Sequence, residues 1–189
     1  MKSGRVSSIV TLLGAAGFVG IVAFLHSIQT GYSSVHQLMS ELALGEQGQF
    51  MLLAFIMFAA SVAGAVGVLA AFQANTLIRV LLGTASLSLV GSGIFKLGAA
   101  TTLHVVLVGL AFVLLGLVMY LVPRYVTGFQ HVHGRVVSWG LGAGTALAVA
   151  LGNNVLPIGI GQRLAAGCIL LWLCWLAIFA TKQKGVHGA

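Results

Sequence analysis

Thr102-Leu-His-Val-Val-Leu-Val-Gly-Leu-Ala-Phe-Val-Leu-Leu-Gly-Leu-Val-Met-Tyr-Leu-Val122 holds no Asp, Glu, Lys or Arg. A helix needs about 20 mostly apolar residues to cross a bilayer, and this run has that length. Working outward, similar runs cover about 6–28, 49–72, 76–95, 136–155 and 161–181. The fold expected is all-α: a polytopic six-transmembrane-helix bundle making one domain over residues 1–189. A membrane barrel would need alternating segments of about 10 residues, and the chain has none.

Composition supports this reading. Hydrophobic residues make up 59% of the chain and charged residues 6%, far below the roughly one quarter charged in a soluble domain. A net charge of +7 would suggest nucleic acid in a soluble protein. Here the nine Lys and Arg are scattered in the connections between apolar runs, which is a topology signal, so no nucleic-acid partner is expected. With the N-terminus cytoplasmic, Lys2, Arg5, Arg79, Arg124, Arg135, Lys182 and Lys184 fall on the cytoplasmic side, leaving Lys96 and Arg163 outside. The positive-inside rule then puts both termini in the cytoplasm, and the cytoplasmic (inner) membrane is the expected location. The opening Met-Lys-Ser-Gly-Arg resembles the start of a signal peptide. Its apolar run continues to about Leu25 without a small-x-small cleavage site, so it reads as the first membrane helix. Cys168 and Cys174, six apart in an apolar run, have neither a CxxC nor a metal spacing.

The connections are unequal. The first outer loop, about 29–48, is the longest, whereas Gln73–Asn75 and Leu97–Thr101 are tight turns that make their flanking helices antiparallel neighbours. The fourth, Pro123–Arg135, carries Arg124, His131, His133 and Arg135 and reads as a solvated loop touching anionic lipid. In the fifth, around Asn153–Pro157, Pro157 and Gly159 end helix five and set up helix six. Tyr120, Tyr125 and Trp139 fall at the inner interface and Tyr32 at the outer one, while Trp172 and Trp175 lie deeper, as packing residues. Gly14, Gly17 and Gly20, then Ala60, Gly64 and Gly67, then Gly140 and Gly144 suit close helix approach. Gly159-Ile-Gly161 lacks the strand of a dinucleotide site.

The costly residues gather at the outer face. Gly31-Tyr-Ser-Ser-Val-His-Gln-Leu-Met-Ser-Glu-Leu42 holds His36 and Glu41, and Glu41 and Glu46 are the only acidic residues of the chain. At about 1.5 Å per residue, helix one brings His26 to the same level. His104 opens helix four, Lys96 ends helix three and Arg163 begins helix six. Taken singly, Lys96 and Arg163 read as snorkelling anchors, and Ser40 as the N-cap of a short amphipathic helix with Leu42 and Leu44 dipping into the interface. Taken together, Glu41 pairs with Lys96 or Arg163 and pins the loop over the bundle mouth, while His26, His36 and His104 point inward. Such a cluster suits zinc held by three imidazoles and a water, with Glu41 as base or partner. It also suits a b-type haem between two imidazoles, or a lipid headgroup or quinone. No HExxH or similar local motif chooses among these.

Gly31-Tyr-Ser-Ser and Ser40-Glu-Leu42 after the first helix, Phe95 before the third turn, His104 opening helix four and Gly161-Gln-Arg163-Leu opening helix six resemble the prokaryotic membrane proteins grouped as domain of unknown function 998. The resemblance covers almost the whole chain. It implies six membrane helices, with Ser40, Glu41, His104 and Arg163 as the marked positions; Lys96 stands where a proline is common. It brings no activity with it.

The leading functional expectation is therefore an extracytoplasmic pocket of Ser40, Glu41, His104 and Arg163, joined by Lys96, His26 and His36, that binds a small amphiphile as a binding or accessory component. Arg163 would hold an anionic group, Glu41 would orient it or the loop, and His104 would donate a hydrogen bond. The other classes are a metal-dependent membrane hydrolase using His26, His36 and His104, a haem-carrying electron-transfer subunit using His26 and His104, and a structural subunit of a larger membrane complex. Membrane lipids are partners in each.

Overall fold

The computed structural model describes residues 2–152 and 154–186. Asn153, part of the fifth connection, lies outside the described residues. The order is α1 (Lys2–Ile28), a short 3-10 helix η1 (Met39–Leu44), α2 (Phe50–Ala70), α3 (Thr76–Ile94), α4 (Thr101–Tyr125), α5 (Val132–Leu151) and α6 (Ile158–Val186). Six of these are long and apolar enough to cross a membrane, and the protein is a multi-pass membrane protein. Each long helix packs on the next, and α1 also packs on α6, so the bundle closes into a ring.

The helix ends follow local chemistry. Asn75 caps α3 by accepting the Ile78 N–H at 3.0 Å. The turn before it uses a left-handed backbone at Gln73, φ 58°. Pro123 lies inside α4, which runs on to Tyr125. A proline in a last turn removes only one hydrogen bond, so α4 passes the point where the sequence suggested it ends. α5 begins earlier than expected, because the His131 imidazole is its N-cap and accepts the Gly134 N–H at 2.8 Å. Of the stretch read as a solvated loop, Pro123–Tyr125 ends α4 and Val132–Arg135 begins α5, leaving 126–131 as the connection, with His131 and His133 exposed.

Close approach is concentrated between α1 and α2. A Cβ on Gly14 would stand 2.6 Å from Met57 O and Ser61 N, and one on Gly64 would stand 2.8 Å from Ser7 O. Ser61 Oγ donates to Thr11 O across this seam at 2.8 Å. Gly20 and Gly140, expected to serve the same purpose, have open space where a side chain would be. The core runs through α2, α3, α4 and α6, with Phe58, Leu82, Leu115, Met119 and Trp172 almost fully buried. Trp172 is a packing residue, and its indole N–H donates to Ser138 Oγ on α5 at 3.0 Å. By contrast α5 touches only α4 and α6 among the described elements.

Candidate functional site

The long first connection is folded tightly against the start of α6. Tyr32 Oη donates to Leu38 O at 3.0 Å and accepts a short hydrogen bond from Arg163 Nη2. Arg163 Nη1 donates to Gln37 O at 3.1 Å and to Gly159 O at 3.0 Å. Gly159 N–H donates to Val35 O at 3.1 Å, and a Cβ on Gly159 would lie 2.5–2.7 Å from the carbonyls of Ser34, Val35 and Gln37. Only glycine lets the loop backbone come this close. The Met39 N–H donates to Gln162 Oε1 at 2.6 Å. Burial pushes the Tyr32 phenol above its ordinary pKa of 10.0, a rise that the Arg163 guanidinium opposes.

Glu41 does not pair with Lys96 or Arg163. As the third residue of η1 it reaches back to the helix start, as in a capping box: Oε1 accepts the Leu38 N–H at 2.9 Å and Oε2 accepts Gln37 Nε2 at 3.1 Å. Arg163 does fasten the loop to α6, through the Gln37 carbonyl rather than a carboxylate. Lys96 is exposed at its turn. The N-cap position of η1 is Leu38 rather than Ser40. Leu42 is in the core while Leu44 is exposed, so only Leu44 is placed to dip outward.

The expected cluster of histidines separates. His26 and His36 are exposed; the His26 ring sits edge-on to Tyr32, centroids 5.5 Å apart. His104 is 2% exposed, with its ring edge-on to Phe55. Among the described residues no three His, Cys, Asp or Glu come together as a metal-ligand set, so the three imidazoles read as zinc ligands do not converge. Of the two histidines read as haem ligands, His104 borders the cavity described next and His26 does not.

His104 Nδ1 lies 2.8 Å from Ser92 O and 3.1 Å from Phe95 O. The last carbonyls of a helix lack partners within it, and His104 in the first turn of α4 serves those at the end of α3. Both partners are acceptors, so in the neutral ring Nδ1 carries the proton and Nε2 presents a lone pair. Nε2 is buried and has no hydrogen-bond partner. The same holds for Oγ of Ser40, a residue 2% exposed. Among the described residues these are the only two such side-chain atoms, and both residues line one cavity of about 1260 Å³.

That cavity runs between α4 and α5, with η1 and the start of α6 at one end. On α4 its wall is one stripe from His104 through Gly109 and Gly116 to Tyr120, a length of about 24 Å at the helical rise, against about 30 Å for the bilayer hydrocarbon. Gly109 and Gly116 have nothing within 4 Å of where a Cβ would stand. They widen the cavity and do not seat a neighbouring helix. Val105, Val113 and Val149 on its rim are exposed, so it opens sideways along the bundle. Its polar members part way along are engaged: Ser138 accepts from Trp172 and Thr145 donates to Leu141 O. The two buried side-chain atoms without a partner therefore belong to residues at the η1 end, while the exposed Tyr120 stands at the other.

Consecutive residues of η1 serve different spaces. Ser40 lines the large cavity, whereas Glu41 lines a smaller polar dimple of about 410 Å³ beside Gln29, Tyr32 and Glu46. The sequence brought out Ser40 and His104 but not Gly109 and Gly116, whose open surroundings depend on how α5 is seated against α4. No curated protein and no solved structure matches the chain. The family model described as "Protein of unknown function (DUF998)" matches residues 12–178, and the chain belongs to that family.

Proposed function

We propose that this membrane protein holds a single-chain amphiphile in the cavity between α4 and α5, with the chain along the Gly109–Gly116 stripe and the polar head at Ser40 and His104. One observation carries the reading: the two residues with a buried polar atom that lacks a partner, Ser40 and His104, both line the same end of one long, mostly apolar cavity. Buried polar groups are normally hydrogen-bonded, and an exception calls for a partner. The cavity is larger than the roughly 300–1,000 Å³ of ordinary ligand pockets and has room for a whole chain. Its open side would admit the amphiphile from the membrane. In this reading Glu41 and Arg163 position the loop and do not touch the ligand. The positive-inside distribution of Lys and Arg supports an extracytoplasmic head end in this reading.

The test is the lipid retained through purification in mild detergent, compared between the wild type and Gly109→Leu/Gly116→Leu, which fills the cavity from positions with free space. The wild type should carry a single-chain amphiphile in stoichiometric amount, and the filled variant should lose it while staying folded. An identical lipid complement in the two proteins would sink the proposal.

A further inference from the structure

We infer that the head of this amphiphile is a neutral hydroxyl group, so that the protein takes lipid alcohols in preference to anionic lipids, ethers or carbonyl heads. The inference rests on the amphiphile reading above and adds the chemistry of the head. It follows from what the polar side chains that line this end of the cavity can still do. His104 Nδ1 is committed to two carbonyls, so Nε2 needs a donor. A phosphate diester, an ether or a quinone carbonyl has only acceptors and leaves Nε2 unpaired; an alcohol or a quinol O–H satisfies it. Ser40 Oγ both donates and accepts. Gln162, a neighbour on the cavity wall, has spent its Oε1 on the Met39 N–H, which leaves its NH2 to donate. Acceptor at His104, donor at Gln162 and either at Ser40 match a group that donates once and accepts, which is a hydroxyl.

Charge points the same way. Of the two cations at this end of the bundle, Arg163 gives its guanidinium to Gln37 O, Gly159 O and Tyr32 Oη and Lys96 is exposed. Neither lines the cavity, so an anionic head would enter without a counter-charge, at high desolvation cost.

The experiment measures binding of hexadecanol, hexadecyl methyl ether and hexadecyl phosphate to the full chain in mild detergent by native mass spectrometry. It compares the wild type, His104→Asn, Ser40→Ala and the filled Gly109→Leu/Gly116→Leu. Asparagine can keep a donor toward Ser92 O and Phe95 O while removing the Nε2 acceptor, so the fold has a route to survive; Ser40→Ala tests the same end without touching those bonds. The wild type should prefer the alcohol over the ether by about tenfold or more, the scale of one buried hydrogen bond left unmade. His104→Asn should abolish that preference, Ser40→Ala should reduce it, and the filled variant should bind none of the three. Geranylgeraniol run beside hexadecanol separates two sources of the hydroxyl: tighter binding of the branched chain assigns an isoprenoid alcohol, tighter binding of the straight chain one derived from acyl lipid. Equal binding of alcohol and ether, both lost on filling, overturns the hydroxyl inference and leaves the amphiphile reading intact. Preference for the phosphate overturns it as well. Binding of all three unaffected by filling removes the amphiphile reading and this inference with it.

Discussion

Arg163 Nη1 and the backbone oxygen of Gln37 lie 3.1 Å apart, joining residues 126 positions apart in the chain. This bond, with those to Gly159 O and Tyr32 Oη, makes the start of α6 the anchor of the first loop. Arg163→Ala removes all of them. Hydrogen bonds to charged groups contribute about 1.5–3 kcal/mol, and Arg163 is only partly buried. A loss of about 2 kcal/mol in all is expected, read as a lower unfolding temperature in detergent. Proteolysis within residues 29–49 should accelerate. Arg163→Lys should recover little, because one ammonium cannot reproduce the fork.

Gly159→Ala should be the most damaging glycine substitution at this end of the bundle. Its Cβ would meet three backbone carbonyls at 2.5–2.7 Å, and backbone cannot step aside as a flexible side chain can. Overpacking of this kind costs about 1–3 kcal/mol. Gly20→Ala is the control: nothing lies within 4 Å of its Cβ, and a helical Ala in place of Gly should be neutral or stabilising by about 0.5–1 kcal/mol. Thermal unfolding of the two variants side by side checks the contrast.

The Trp172 indole N–H and Ser138 Oγ form a buried pair between α6 and α5. Ser138→Ala leaves the N–H without its partner and should cost about 1–3 kcal/mol. Trp172→Phe combined with Ser138→Ala should lose less than the two single costs added together, since the second change removes the orphaned donor. A double-mutant cycle measured by thermal unfolding gives the coupling directly.

Tyr32 sets a pH dependence with a definite sign. Its folded pKa is raised above the ordinary 10.0, so the folded protein keeps the phenolic proton to higher pH than the unfolded chain does. The stabilisation is complete below the unfolded value of about 10 and is lost as pH rises through the folded one. Unfolding temperatures measured from pH 8 upward should fall above pH 10 more steeply in the wild type than in Tyr32→Phe. Parallel curves for the two proteins would show that the phenol does not titrate across this transition.

Six membrane helices, their approximate spans and the gathering of polar residues at one end were determined by the sequence alone. Hydrocarbon length and the cost of unpaired backbone leave a long apolar run one structure to adopt. Helix ends were less legible where a cap is unusual: His131, whose ring caps α5, looks like any exposed basic residue, and Pro123 reads as a stop although a last turn tolerates it. The site was half legible. Ser40, Glu41, His104 and Arg163 stand out because polar side chains are rare here. Which way each one faces depends on bonds to residues far away in the chain. Tertiary structure turned Glu41 back onto its own helix start, gave Arg163 to backbone carbonyls, and held Ser40 and His104 at the end of a cavity. α5 packs on α4 and α6 alone among the described elements, and Gly109 and Gly116, with nothing within 4 Å of where a Cβ would stand, line the space left between α4 and α5.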